Sequence, residues 1–144
     1  MIYCDTSFLL PLYVYEAGSS EKAGKVAAAW KDAGWVSPIG ELELTNTVCR
    51  KIFENEITSD AGHNILRDFR QDLKAGIFRW SHQNLAVMFR DAAKLSWRHT
   101  PDGGHRSLDI LHVSAAKLLG AKQFLSFDVR LNRLAKAEGM KLLR

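Results

Sequence analysis

The sequence predicts an α/β protein built around a mostly parallel sheet. Short apolar or aromatic runs, "MIYC", "WVS", "IFRW", "QFLSFD" and "MKLL", alternate with longer helical stretches, the pattern of a sheet covered on both faces. Most helical stretches also carry their own start and stop residues. With 144 residues, 47% hydrophobic and 25% charged, the chain is expected to form one domain over residues 1–144 with a sizeable core.

The elements are expected as follows. Residues 1–5 make the first strand, with Asp5 at its carboxyl end, and a short helix follows around Phe8 to Tyr15, disturbed by Pro11. Ser19 or Ser20 caps a helix through "EKAGKVAAAWKDAG", which is expected to close at Gly34 in the left-handed cap position. After the strand "WVS", "ELELTNTVCRKIFENEI" reads as a helix with Leu42, Thr45, Cys49 and Ile52 on one stripe and Leu44, Val48 and Lys51 beside it. Thr58 or Ser59 opens the next helix and Gly76 stops it; "IFRW" is a strand, and a helix runs from about His82 to Arg98. "HTPDGGHRS" reads as a loop. Ser107 is placed to cap a helix that closes at Gly120, "QFLSFD" is a strand, "VRLNRLAKAEG" a helix ending at Gly139, and "MKLL" the last strand.

Bulk properties narrow the function. No apolar run approaches the roughly 20 residues of a membrane span, and no basic segment followed by an apolar stretch and cleavage site opens the chain. Cys4 and Cys49 are expected as buried thiols of a reducing compartment, so the cytoplasm is the expected location. Neither has the spacing of a zinc site. A net charge of +4 and a pI near 9.2 suit a polyanionic partner without requiring one.

Four acids have reason to meet. In an open parallel sheet, ligands bind outside the carboxyl ends of the strands. Asp5 and Asp128 end strands there; Glu43 and Asp109 lie in first turns of helices that begin at the same edge. Taken singly, a first-turn acid complements the helix dipole and an Asp after a strand caps the next helix. Taken together, four carboxylates repel, and the usual remedy is a hard divalent cation such as Mg²⁺ or Mn²⁺ on oxygen ligands. The absence of a Cys/His ligand set argues against zinc.

The stretches "YCDTSFLLPLY", "SPIGELELTNTVCRKIF" and "SLDILHVSAAKLLGAKQFLSFDVRLNRLAKAEGMKLL" resemble PIN-domain proteins of the VapC kind, toxins of bacterial toxin–antitoxin pairs. Residues 57–100 match mainly in helical character. The resemblance implies a three-layer α/β/α PIN-like domain and metal-dependent endonucleolytic cleavage of RNA, leaving a 5′-phosphate and a 3′-hydroxyl. It also implies a VapB-like antitoxin whose tail covers the acidic site, and a homodimer. By position the family's four acids become Asp5, Glu43, Asp109 and Asp128. Glu41 rivals Glu43, but the family's interval from Ser37 lands on Glu43, and residues two apart on a helix point in nearly opposite directions.

Asp5 and Asp109 are then expected as direct ligands of the ion and Asp128 as a direct or water-mediated one. Glu43 is expected to complete the set or orient the nucleophile. Thr6, Ser7 and Ser126 are placed to hydrogen-bond the acids, though local capping explains them as well. Glu43, Asn46, Thr47 and Arg50 share a polar stripe that continues from the acids or simply faces solvent. Arg98, His99, His105, Arg106, Arg130 and Arg133 are candidate phosphate contacts or surface charge. His112 reads as a packing histidine, and Trp30, Trp35, Trp80 and Trp97 as core or interface.

Two other classes remain. A haloacid-dehalogenase-type phosphatase needs an acid two residues after the first, where Ser7 stands, and a P-loop nucleotidase needs a GxxxxGK[ST] that is absent. A catalytically inactive PIN-like module that binds RNA or protein is disfavoured by the presence of all four acids.

Overall fold

The computed structural model describes residues 1–142. Five strands form one sheet: β1 (Ile2–Cys4), β2 (Gly34–Val36), β3 (Phe78–Trp80), β4 (Gln123–Leu125) and β5 (Lys141–Leu142). Their order is β3-β2-β1-β4-β5 and every pairing is parallel, so the expected mostly parallel sheet is wholly so. The proposed last strand "MKLL" includes Leu143, which lies outside the described residues.

Alternation along the strands divides the core. Tyr3 of β1 and Phe124 of β4 pair in register and stack with ring centroids 5.4 Å apart, on the face covered by α5 (Leu85–Gly103), α6 (Ser107–Leu119) and α7 (Val129–Ala137). Their neighbours Cys4 and Leu125 point the other way. They join Phe8 of α1 (Thr6–Tyr13), Ala23 of α2 (Ser19–Ala28), Leu44 of α3 (Pro38–Phe53) and Phe69 of α4 (Ser59–Ala75). The result is three layers. Because β1 leads leftward to β2 and β3 while β4 and β5 lie to its right, strand order reverses between β1 and β4. A crevice opens at such a switch point, outside the carboxyl ends.

Several boundaries follow local chemistry. Thr58 caps α4 through its hydroxyl, and Gly76 (φ 78°) and Gly120 (φ 74°) end α4 and α6 in the left-handed region that glycine tolerates. Elsewhere tertiary contacts override the local signal. Helix α2 stops at Ala28, not Gly34, and Gly34 opens β2 instead. A Cβ at Gly34 would lie 2.8 Å from Cys4 Sγ, 2.9 Å from Trp30 Cζ3 and 3.0 Å from Phe78 Cδ1, so the residue serves close packing rather than a cap.

The segment read as the loop "HTPDGGHRS" is helical as far as Gly103, with Pro101 inside it and Gly104 (φ 60°) as the stop. What holds this last part of α5 is distant in sequence: Arg98 and His99 both donate to Glu138 Oε1, at 2.9 and 2.7 Å. On α3 the buried stripe is Gly40, Leu44 and Val48, while Leu42 is 66% exposed and Cys49, expected to be buried, is exposed. Of the two expected stripes, the one with Leu44 and Val48 reaches the core; Val48 and Ile52 lie against Gly62 of α4, and Leu42 and Cys49 face outward. Trp97 stands 87% exposed, so it belongs to no core.

Glu138 is the polar clasp of the α5–α6–α7 side. Besides Arg98 and His99 it meets Lys117 Nζ at 3.2 Å, and its side chain is 7% exposed. Burial alone would raise its pKa, but hydrogen bonds from His99 and Lys117 outweigh that and hold the carboxyl below its ordinary value. A depressed carboxylate contributes stability above its unfolded pKa of about 4.5 and loses it as pH falls through the folded value. Glu138→Gln is therefore expected to cost about 2 kcal/mol in urea unfolding at pH 7, with the gap to wild type closing as the pH falls below the ordinary carboxylate range. A pH-independent gap would contradict the ionic origin of the clasp.

Candidate metal centre

The residue after each of β1, β2 and β4 is polar: Asp5, Ser37 and Ser126. All three are buried, because the helices that follow fold back over the sheet edge. Asp5 accepts a backbone bond from Ser7 N at 3.1 Å as the cap of α1. Its Oδ2 also accepts from Ser7 Oγ at 2.6 Å and Ser126 Oγ at 2.9 Å, so donors from the first turn of α1 and from the residue after β4 meet on one carboxylate. Asp128 caps α7, accepting from Arg130 N at 2.8 Å and Leu131 N at 3.0 Å, a cap worth about 1 kcal/mol.

Asp5, Glu43, Asp109 and Asp128 line one cleft of about 400 Å³, together with Thr6, Ser7, Asn46, Thr47, Arg50, Arg106 and His112. The four acids named from sequence are thus brought to one place, as are the hydroxyls of Thr6 and Ser7; Ser126 bonds Asp5 from behind. Glu41 borders Trp80, Ser81 and His82 instead, a separate surface.

Within the cleft the acids form two groups. Asp5, Glu43 and His112 each offer an atom within 4.8 Å of the others, a spacing able to hold a metal ion. Glu43 Oε2 accepts from His112 Nε2 at 2.5 Å and from Thr6 Oγ1 at 2.8 Å, and His112 Nε2 also lies 3.5 Å from Asp5 Oδ1. Asp109 and Asp128 instead share the Arg106 guanidinium, with distances of 3.1 Å to each Asp109 oxygen and 3.3 Å to Asp128 Oδ2.

His112, expected as a packing histidine, lies inside the acidic cluster. It is a buried histidine with its hydrogen bonds satisfied, as expected, but those bonds place it in the acidic cluster rather than in apolar packing. Its spacing of three from Asp109, on a helix starting at the sheet's carboxyl edge, was the available signal. Burial pulls the imidazolium down, yet the hydrogen bond to Glu43 and the charges of Asp5 and Glu43 prevail and hold His112 above its ordinary pKa. Burial likewise raises Glu43, and the bonds from His112 and Thr6 more than reverse it, leaving the carboxyl below its ordinary value. Each group thus favours the charged form of the other. On its other side, His112 Nδ1 hydrogen-bonds the Tyr3 hydroxyl at 2.8 Å, and that hydroxyl also bonds Ser37 Oγ at 2.7 Å. Arg106, a candidate phosphate contact by sequence, bonds two of the acids in the structure.

The PIN-domain family model matches residues 2–137, and the chain belongs to that family. No curated protein matches the sequence. Among solved structures, the chain is similar to Mycobacterium tuberculosis VapC20, described as a sarcin–ricin-loop-cleaving toxin. The TM-score is 0.75 at 17% identity over 100% of this chain and 99% of that one. It is also similar to VapBC2 from Rickettsia felis, solved bound to a DNA fragment from its promoter (TM-score 0.67, 16% identity, 99% and 98% covered). FitAcB from Neisseria gonorrhoeae aligns with a TM-score of 0.64 at 14% identity, covering 100% and 97%. At these identities the likeness is one of fold.

Tyr3→Phe removes the hydroxyl that hydrogen-bonds both the buried His112 Nδ1 and Ser37 Oγ. It is expected to lower unfolding free energy by about 1–3 kcal/mol while preserving the fold, measured by urea denaturation with circular dichroism. Unchanged stability would mean the Tyr3–His112 bond is not made.

Proposed function

We propose that this single-domain chain is a divalent-metal-dependent endoribonuclease and the toxin of a VapBC-type pair. The observation that carries this reading is the convergence of four carboxylates, from four separate segments of a PIN-family chain, on one cleft beside the switch point. The donor set fits the group. Carboxylate oxygens dominate it, which favours Mg²⁺ or Mn²⁺ over softer metals, and all four acids face the same cleft.

Asp5, Asp109 and Asp128 would hold the ion, and Glu43 would complete the set or orient the nucleophile. When bound, such an ion offsets charge on the phosphodiester and brings water nearer its ionised form. The chain's own residues do the positioning. Ser7 and Ser126 fix Asp5, so its carboxylate cannot rotate away from the cleft. Both hydrogen bonds to Glu43 fall on Oε2, which leaves Oε1 to accept a proton from the attacking water. Arg50, exposed on α3 and lining the cleft, is placed to meet a phosphate.

The toxin reading draws on the fold neighbours, which include a toxin that cleaves the sarcin–ricin loop and structures of toxin–antitoxin complexes. It places the chain in the cytoplasm as a homodimer held inactive by a VapB-like antitoxin. Among the described residues no helix is long and apolar enough to cross a membrane.

Incubation with a mixed RNA pool tests the activity. Mg²⁺ or Mn²⁺ should be required, chelator should stop cleavage, and Asp5→Asn should reduce it by about a hundredfold or more with the circular dichroism spectrum unchanged. Equal cleavage by the variant, or cleavage in chelator, would end the metal-centre reading.

A further inference from the structure

Arg106 sits on the acids that the proposed reading assigns to a cation. Its Nε donates to Asp109 Oδ2 and its Nη2 to Asp109 Oδ1, each at 3.1 Å, while Nη2 also reaches Asp128 Oδ2 at 3.3 Å. The Arg106 backbone N–H adds a bond to Asp109 Oδ2 at 3.3 Å. One planar guanidinium therefore takes both oxygens of Asp109 in a fork and ties in a second acid. A divalent ion would draw on the same oxygens, and two adjacent cations repel.

The two partners differ in freedom. The Asp109 side chain is 8% exposed in the first turn of α6, whereas the Arg106 side chain is 65% exposed at the mouth of the cleft. The other basic side chains of the cleft lack this combination. Arg50 pairs with Glu54 at 3.1 Å, and His112 is buried and bonded through both ring nitrogens.

We propose that Arg106 is an intramolecular competitor of the divalent cation: its charge holds Asp109 and Asp128 together, and it swings to solvent when the ion takes their oxygens. This inference rests on the metal-centre reading above. By its affinity for the two acids, Arg106 sets the free cation concentration at which the site fills. If Arg106 instead served to arrange the acids for the ion, its removal would act in the opposite direction.

Isothermal titration of Mn²⁺ into the purified full chain, without RNA, separates the two. Wild type is compared with Arg106→Ala and Arg106→Gln, with folding of each followed by circular dichroism. The competitor role requires tighter Mn²⁺ binding in the neutral variants, by about tenfold, a gain that structural damage does not produce. If Arg106→Ala does not fold, Arg106→Gln decides alone. Equal or weaker binding in folded variants, with wild type still binding Mn²⁺, overturns the competitor and leaves the metal centre standing. No binding by any of the proteins overturns both.

Discussion

Repulsion among carboxylates gathered at one sheet edge is the constraint around which the rest of the molecule is arranged. Two carboxylate charges about 5 Å apart repel by roughly 3 kcal/mol at the effective dielectric of a protein near its surface. Four of them in a cleft would push the edge open unless neutralised. The structure answers with buried donors and opposite charges. Ser7 and Ser126 hydroxyls serve Asp5, Thr6 and His112 serve Glu43, and Arg106 spans Asp109 and Asp128. Each donor comes from a segment that the fold must bring to the same edge, so fold and site are one problem.

The sheet order solves it. Because β1 and β4 are neighbours and parallel, Asp5 and Ser126 emerge side by side, with Asp5 N donating to Leu125 O at 2.9 Å. The helices that follow begin at that edge and point the positive ends of their dipoles toward the acids. Helix α6 contributes twice, Asp109 in its first turn and His112 one turn later, and Tyr3 reaches His112 from the strand that delivers Asp5. A residue of the central strand thereby buttresses the charge balance of the cleft from within the core.

Much of this was legible in the sequence because it is written locally. Thr58, Gly76 and Gly120 mark helix ends by their own conformational preferences, and Asp5 marks the end of β1, whereas β4 ends at Leu125 and Asp128, expected at its end, instead caps α7. The convergence of the four acids followed from a general rule about parallel sheets. What stayed hidden depended on partners far away in the chain. Helix α5 continues through Pro101 with Glu138 holding Arg98 and His99, and Gly34 sits in a strand because Cys4, Trp30 and Phe78 crowd it. His112 and Arg106 were visible as residues, but their bonds to Glu43 and to the Asp109–Asp128 pair are tertiary facts. Cys49 was misplaced because an apolar look does not say which of two adjacent helix faces packs.

The reading of the cleft as a divalent-cation centre is tested most directly by anomalous diffraction from crystals of the whole chain equilibrated with Mn²⁺. The expected result is a single strong anomalous site, or a close pair, bounded by the carboxylates of Asp5, Asp109 and Asp128, with Glu43 adjoining. A cleft without anomalous density at saturating Mn²⁺, or an ion ordered only elsewhere on the surface, would contradict it.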